Sequence, residues 1–396
     1  DVNSGEVLAM AGYPVFDLND TRNLEALIGM PILNEQGERT GEYVNEENLT
    51  ELKNDNDAMY RQLNALWKNF CISETYEPGS VSKPITVAAG IESGSITGNE
   101  TYNCQGKLEI GGWPIACHNT WGDGVLSVSE GIERSCNVNM MYIASATGVE
   151  TFTEFQHMFN FGLKTNIDLA GEARTASLIY DKTNMRSTEL ATCSFGQGYN
   201  CTMIQMMSAF CSLINGGYYY EPHMVKKIIS PSGATVQNIE PRLLRQTISE
   251  TTSAKVREMC NLVVSGENGT GKTARPAGYM IGGKTGTAQT APRSAKEYVL
   301  SFLGYAPADD PQIAIYVVVD RPNVSNSVMD SAKFATKIVR NVLTEVLPYM
   351  GIYMTEELSE KEIEELEALQ IEIMTAPAPG TEEGEGTEAA EGEGEG

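Results

Sequence analysis

Histidine is scarce in this chain, three among 396 residues (His118, His157, His223), and none of the eight cysteines forms a C-x-x-C pair. Protein zinc sites draw mostly on those two residue types at short spacings, so neither a metal nor another cofactor is expected. Long apolar runs are missing too. Nothing approaches the ~18 residues of a membrane-crossing helix, and the strongest stretch, residues 313–319, is strand-sized. Basic residues are outnumbered, 28 Lys and Arg against 53 Asp and Glu, for a formal charge of −25. That balance excludes nucleic acid and anionic membrane surfaces as partners. Much of the charge is local, since 15 acidic residues and a single lysine follow residue 355. An initiating methionine and a signal peptide are also lacking. Residues 1–10 read instead as a turn feeding a strand, so the chain is expected to begin inside a domain, with any membrane anchor upstream. No internal repeat is visible.

What is present is a globular composition, 41% hydrophobic, with regular punctuation. A strand is expected at 6–12, then a polar irregular stretch to residue 68 with helical patches such as 56–67. The turn Tyr76-Glu77-Pro78-Gly79 leads into a helix over 80–93, followed by a hairpin over 101–117 with Gly111-Gly112 at its turn. Cys104 and Cys117 bracket that hairpin; a disulfide and a pair of buried free thiols both fit the spacing. Helices follow at 126–134, 138–147, 150–161 and 200–215, the last stopped by Gly216-Gly217, and then at 251–264. Strands at 279–288, 298–306 and 312–320 precede a closing helix at 330–347. This order predicts the α/β class: an antiparallel sheet flanked by helices, an α/β/α sandwich, with an inserted all-helical subdomain. It spans residues 1–354. Residues 355–396 form an acidic tail, with a short solvated helix at 356–374 and disorder over 376–396, which hold only Gly, Glu, Thr, Pro and Ala.

Three short polar segments occur in one order: Ser80-Val81-Ser82-Lys83, Ser135-Cys136-Asn137 and Lys284-Thr285-Gly286-Thr287. A serine hydroxyl is a weak nucleophile until a base takes its proton. Lys83 lies three residues after Ser80, one turn away on the same helix face, and no other S-x-x-K occurs in the chain. Burial and a second cation at Lys284 would lower the lysine pKa and make the neutral amine accessible. Ser135 is placed to relay a proton, and Asn137 to orient Lys83 and a substrate amide. Lys284, Thr285 and Thr287 suit a substrate carboxylate, Gly286 allows close approach of a ligand, and the N–H groups of Ser80 and Thr287 fit an oxyanion hole. Each segment alone is more often a helix cap, an interhelical loop or an edge strand.

Two further glycine-rich segments mimic nucleotide loops. Residues 266–273 match G-x-x-x-x-G-K-[ST] in full, but a helix precedes them and a strand follows, the reverse of a phosphate cradle. No nucleotide is expected. Gly196-Gln197-Gly198 reads as a tight turn before the helix at 200–215.

Taken together, the segments resemble the transpeptidase domain of a class B penicillin-binding protein of the division or sporulation type. The resemblance runs from Asp1 to about Tyr353. It rests on residues 1–10 (D-x-x-[ST]-G-E-V-L-A-M), 75–84 (T-Y-E-P-G-S-x-x-K-P), 196–198, 283–288 (G-K-T-G-T-A) and 304–308. It implies a serine β-lactamase-like fold without its usual upstream parts. It also implies a serine D,D-transpeptidase that cross-links peptidoglycan stem peptides through an acyl-enzyme on Ser80, with β-lactams as substrate mimics. Lys83, Ser135, Asn137, Lys284, Thr285, Gly286 and Thr287 carry over by motif position, and Gly196, Gln197 and Gly198 would shape the cleft wall. The implied setting is the outer face of a bacterial cytoplasmic membrane, beside a glycan polymerase. A D,D-carboxypeptidase or β-lactamase on the same residues, or a β-lactam sensor or scaffold without turnover, stay open. Val81-Ser82 stand where the family commonly has Thr-Phe, and Cys136 where it has a small or hydroxylated residue.

Overall fold

A computed structural model describes residues 1–290, 292–322, 324–325 and 331–375. At its centre is an antiparallel sheet of three strands, β1 (Gly282–Gln289), β2 (Tyr298–Ala306) and β3 (Ile313–Asp320), in that spatial order. The register is unbroken, with Lys284 opposite Leu303, Gly286 opposite Ser301 and Leu303 opposite Tyr316. The central strand β2 is buried from Val299 onward, so both faces of the sheet must be covered. Alternate side chains point to opposite faces. Phe302 and Ala306 join one apolar cluster, Leu303 and Tyr305 the other.

Several helices make the second cluster: α1 (Lys83–Glu92), α2 (Val128–Glu133), α3 (Asn137–Thr147), α4 (Met203–Ile214) and α5 (Glu250–Ser265). From Lys83 to Gly90 every residue of α1 is buried, as expected of a helix made of small and apolar residues all round. The opposite face is covered by α6 (Lys333–Tyr349), whose Val339, Leu343 and Leu347 pack with Tyr279, Ile281 and Phe302. The expected sandwich on an antiparallel sheet is therefore the observed one. Among the described residues no helix is long and apolar enough to cross a membrane.

The structure corrects three local expectations. Residues 6–12 form no strand; Glu6 makes a single bridge to His223, and Val7 and Met10 pack against Cys71 and Ile204. The hairpin is shorter than expected. Lys107–Ile110 pairs with Trp113–Ala116 across Gly111-Gly112, while Thr101–Cys104 pairs with Gly124–Ser127. Cys104 and Cys117 are free thiols.

The third correction concerns the acidic segment. Its helix, α7 (Glu360–Ala368), is docked, because Leu366 is 1% exposed in the same cluster as Val339 and Leu343. Arg275 and Arg340 bridge to Glu362 (2.7 Å) and Glu365 (2.6 Å). The backbones of Met354 and Thr375 also pair in an isolated parallel β-bridge. Leu366→Ala should destabilise the protein by about 2–5 kcal/mol, the usual range for emptying a buried leucine site. Thermal unfolding tests this, since a solvated helix would leave the melting temperature unchanged. The disorder expected at 376–396 lies outside the described residues, as does residue 330, and the closing helix expected from 330 starts at Lys333.

Candidate functional site

Three backbone approaches define the site. Gly79–Ser82 is a 3-10 turn that runs directly into α1, with Ser80 half-buried and Val81 in the core. Gly79 has φ +61°, and a Cβ there would lie 3.0 Å from Thr287 O and from Ala288 Cβ. On β1, a Cβ at Gly286 would sit 2.2 Å from Ser301 Oγ and 3.0 Å from Val81 Cγ1. The serine-bearing turn thus lies against the Lys284-Thr285-Gly286-Thr287 segment because two glycines leave the space. On its other side, Gly79 N–H donates to Gly196 O (2.9 Å). A Cβ at Gly196 would fall 2.0 Å from Gly79 O. The 196–198 turn therefore borders Ser80, with Gly198 N–H donating to Glu77 Oε1 (2.8 Å).

Between turn and strand lie two fully buried lysines. Lys83 Nζ donates to Ser135 O, to Ser135 Oγ (3.1 Å) and to Asn137 Oδ1 (2.7 Å). Lys284 Nζ donates to the same Ser135 Oγ (2.9 Å) and to Thr285 O (3.1 Å). One hydroxyl therefore accepts from both cations, which uses its two lone pairs and leaves its own proton to be given away. Ser135 holds this position at φ +60°, a left-handed conformation rare for a residue with a Cβ. Its neighbours fix it: Cys136 N–H donates to Gly131 O (2.8 Å), and Asn137 opens α3.

Burial sets the electrostatics. It pushes the Lys83 amine down to about 8, against an opposing pull from Cys117, Cys136, Asp123 and Cys104. Lys284 is pushed well below its ordinary value, first by burial and then by the charge of Lys83. A neutral amine is thus accessible near physiological pH. The three hydrogen bonds of Lys83 go to Ser135 and Asn137 and none to Ser80, a difference from the direct pair that spacing predicts. The protonated amine has three donors, and three fixed acceptors occupy them.

Sequence reasoning missed Thr270, Glu77 and Arg293. Thr270 Oγ1 hydrogen-bonds Thr285 Oγ1 (2.7 Å) from within the loop that mimics a phosphate cradle. That loop folds back on α5. Gly271 N–H donates to Val263 O (2.8 Å), and Lys272 Nζ to Glu267 O (2.6 Å) of its own loop. Glu77 links Gly198 to Arg293, whose guanidinium donates to Glu77 Oε2 (2.6 Å). Its only sequence signal is a place in the run before Ser80. Next to the Ser135 loop, the sulfurs of Cys104, Cys117 and Cys136 and a carboxylate oxygen of Asp123 lie within 4.8 Å of one another.

Comparisons with known proteins show the family of the chain. Residues 1–344 match the family model described as penicillin binding protein transpeptidase domain. Stage V sporulation protein D of Bacillus subtilis is 34% identical over 311 residues, covering 77% of this chain and 47% of that protein. A protein of Neisseria gonorrhoeae named as a probable peptidoglycan D,D-transpeptidase, PenA, is 26% identical over 325 residues, 81% of this chain and 46% of its own length. The chain thus spans about half the length of the curated relatives it matches. A crystal structure of penicillin binding protein 3 from Mycobacterium tuberculosis in complex with ampicillin aligns with a TM-score of 0.65 at 26% identity. That alignment covers 73% of this chain and 65% of the solved one.

Proposed function

Because the chain belongs to the penicillin binding protein transpeptidase domain family, we propose that it cross-links peptidoglycan stem peptides as a serine D,D-transpeptidase. The observation that carries this reading is the Ser135 hydroxyl, which accepts hydrogen bonds from both buried lysines beside the turn that bears Ser80. Ser80 Oγ attacks the penultimate D-Ala carbonyl of a stem peptide. Its proton passes to the neutral Lys83 amine, with the Ser135 hydroxyl as relay. The C–N bond to the terminal D-Ala then breaks, and that amine leaves with the proton. An amine from a neighbouring strand attacks the resulting ester, forms the cross-link and returns Ser80 to its hydroxyl form. The N–H groups of Ser80 and Thr287 hold the oxyanion; removal of one such donor typically costs ~10²–10³ in rate. Lys284, Thr285 and Thr287 take the substrate carboxylate, and Asn137 holds its amide.

β-Lactams acylate Ser80 in the same way, and the ampicillin complex of the mycobacterial neighbour supports this. The cellular setting that follows is the outer face of the cytoplasmic membrane, with a glycan polymerase as partner. Incubation of the protein with a D-Ala-D-Ala stem peptide and an acceptor amine should yield cross-linked dimer together with free D-Ala. Release of D-Ala at an unchanged rate with no cross-linked product, whatever the acceptor, would assign a carboxypeptidase instead.

A further inference from the structure

The cysteine cluster beside the Ser135-Cys136-Asn137 loop has a geometry of its own. Cys104, Cys117 and Cys136 are 1%, 3% and 0% exposed, and the Cys117 and Cys136 sulfurs are 3.8 Å apart. A disulfide bond measures about 2.05 Å, so the pair is not bonded. A tetrahedral zinc with Zn–S bonds of ~2.3 Å, by contrast, has sulfur–sulfur edges of about 3.8 Å.

The fold assembles this cluster from separate segments. Cys104 ends the strand Thr101–Cys104, Cys117 follows the hairpin, Asp123 closes the next loop and Cys136 precedes α3. Cys117 N–H donates to Gly106 O (2.8 Å). A Cβ at Gly122 would lie 2.4 Å from Cys104 O, and one at Gly106 2.1 Å from Thr120 O. Both glycines have φ above +80°, so the loop is pressed onto the strand only because they lack side chains.

The surrounding donors match a metal centre as well. Asn137 N–H donates to Cys117 Sγ (3.3 Å), and Asn119 Nδ2 to Asp123 Oδ1 (2.8 Å). Such contacts orient ligating sulfurs and carboxylates. The second oxygen, Asp123 Oδ2, is buried with no hydrogen-bond partner. A buried acceptor left without a partner is destabilising, more so if charged, and ligation of a cation removes that cost. Three thiols and one carboxylate suit zinc, whereas all-oxygen sets suit magnesium or calcium.

We propose that Cys104, Cys117, Asp123 and Cys136 bind one zinc ion, a structural centre that clamps the loop carrying Ser135 and Asn137. Cys136 lies between those two residues, so the ion fixes the acceptors that hold Lys83. A reading of spacings misses the site because its four ligands come from four segments with no C-x-x-C pair.

The test uses the full chain, reduced and metal-free, titrated with cobalt(II) alone. The expected result is one cobalt per chain, with sulfur-to-cobalt charge-transfer absorption and the visible bands of tetrahedral coordination, bleached by an equivalent of zinc(II). Cys104→Ser, with one thiolate fewer, should bind cobalt more weakly and show reduced charge-transfer absorption. Asp123→Asn, which preserves side-chain size and so guards against a folding defect, should weaken binding at least tenfold. Fully reduced protein that takes up no cobalt overturns the proposal, as does an Asp123→Asn or folded Cys104→Ser protein that binds as the wild type does. Metal uptake is read without acylation, so this outcome is independent of the transpeptidase reading.

Discussion

Lys83→Met should acylate with a fluorescent penicillin about 10²–10⁴ times more slowly than the wild type, the usual contribution of a positioned general base. Methionine keeps the length of the side chain and removes both the amine and its charge. The loss should therefore appear in the acylation rate, with the melting temperature near that of the parent. The pH profile carries the same information. Burial pushes the Lys83 amine down to about 8, and the proposed base is its neutral form. Wild-type acylation should rise about tenfold per pH unit below 8 and level off above it, whereas the Lys83→Met rate should be flat across that range. A variant that labels at the parental rate would remove Lys83 from the mechanism.

The second large effect is structural. Gly196→Ala places a Cβ 2.0 Å from Gly79 O at a backbone φ of +83°. Left-handed strain and overpacking each cost on the order of 1–3 kcal/mol. The turn before Ser80 must also move, because Gly79 N–H is bonded to Gly196 O. The variant should show both a lower melting temperature and slower penicillin labelling. Unchanged values for both would mean that the 196–198 turn does not position the serine.

Much of this site is legible in the sequence because its chemistry is local. Ser80 and Lys83 share one turn, and the four residues of the 284–287 segment share one strand. The strands β2 and β3 are legible for the same reason, since their apolar runs are bounded by the turn around Pro307-Ala308-Asp309-Asp310-Pro311. What local pattern does not carry is the choice between partners. Thr101–Cys104 has a hairpin partner within reach but pairs with Gly124–Ser127 instead, and the contact that decides this is the loop pressed against Gly106 and Gly122. The acidic helix α7 looks solvated from its charge, yet Arg275 and Arg340 lie on other segments and meet Glu362 and Glu365 only in the folded chain. The same holds for Thr270, whose hydroxyl meets Thr285 although its loop reads as a nucleotide motif.

The proposed transpeptidase mechanism requires one hydroxyl, that of Ser80, to take the acyl group. Intact-mass measurement after exposure to benzylpenicillin, followed by peptide mapping, tests it most directly. The expected result is a single penicilloyl adduct per chain on the peptide containing Ser80, absent in Ser80→Ala. An adduct of equal yield in Ser80→Ala, or one mapped to a different residue, would contradict it.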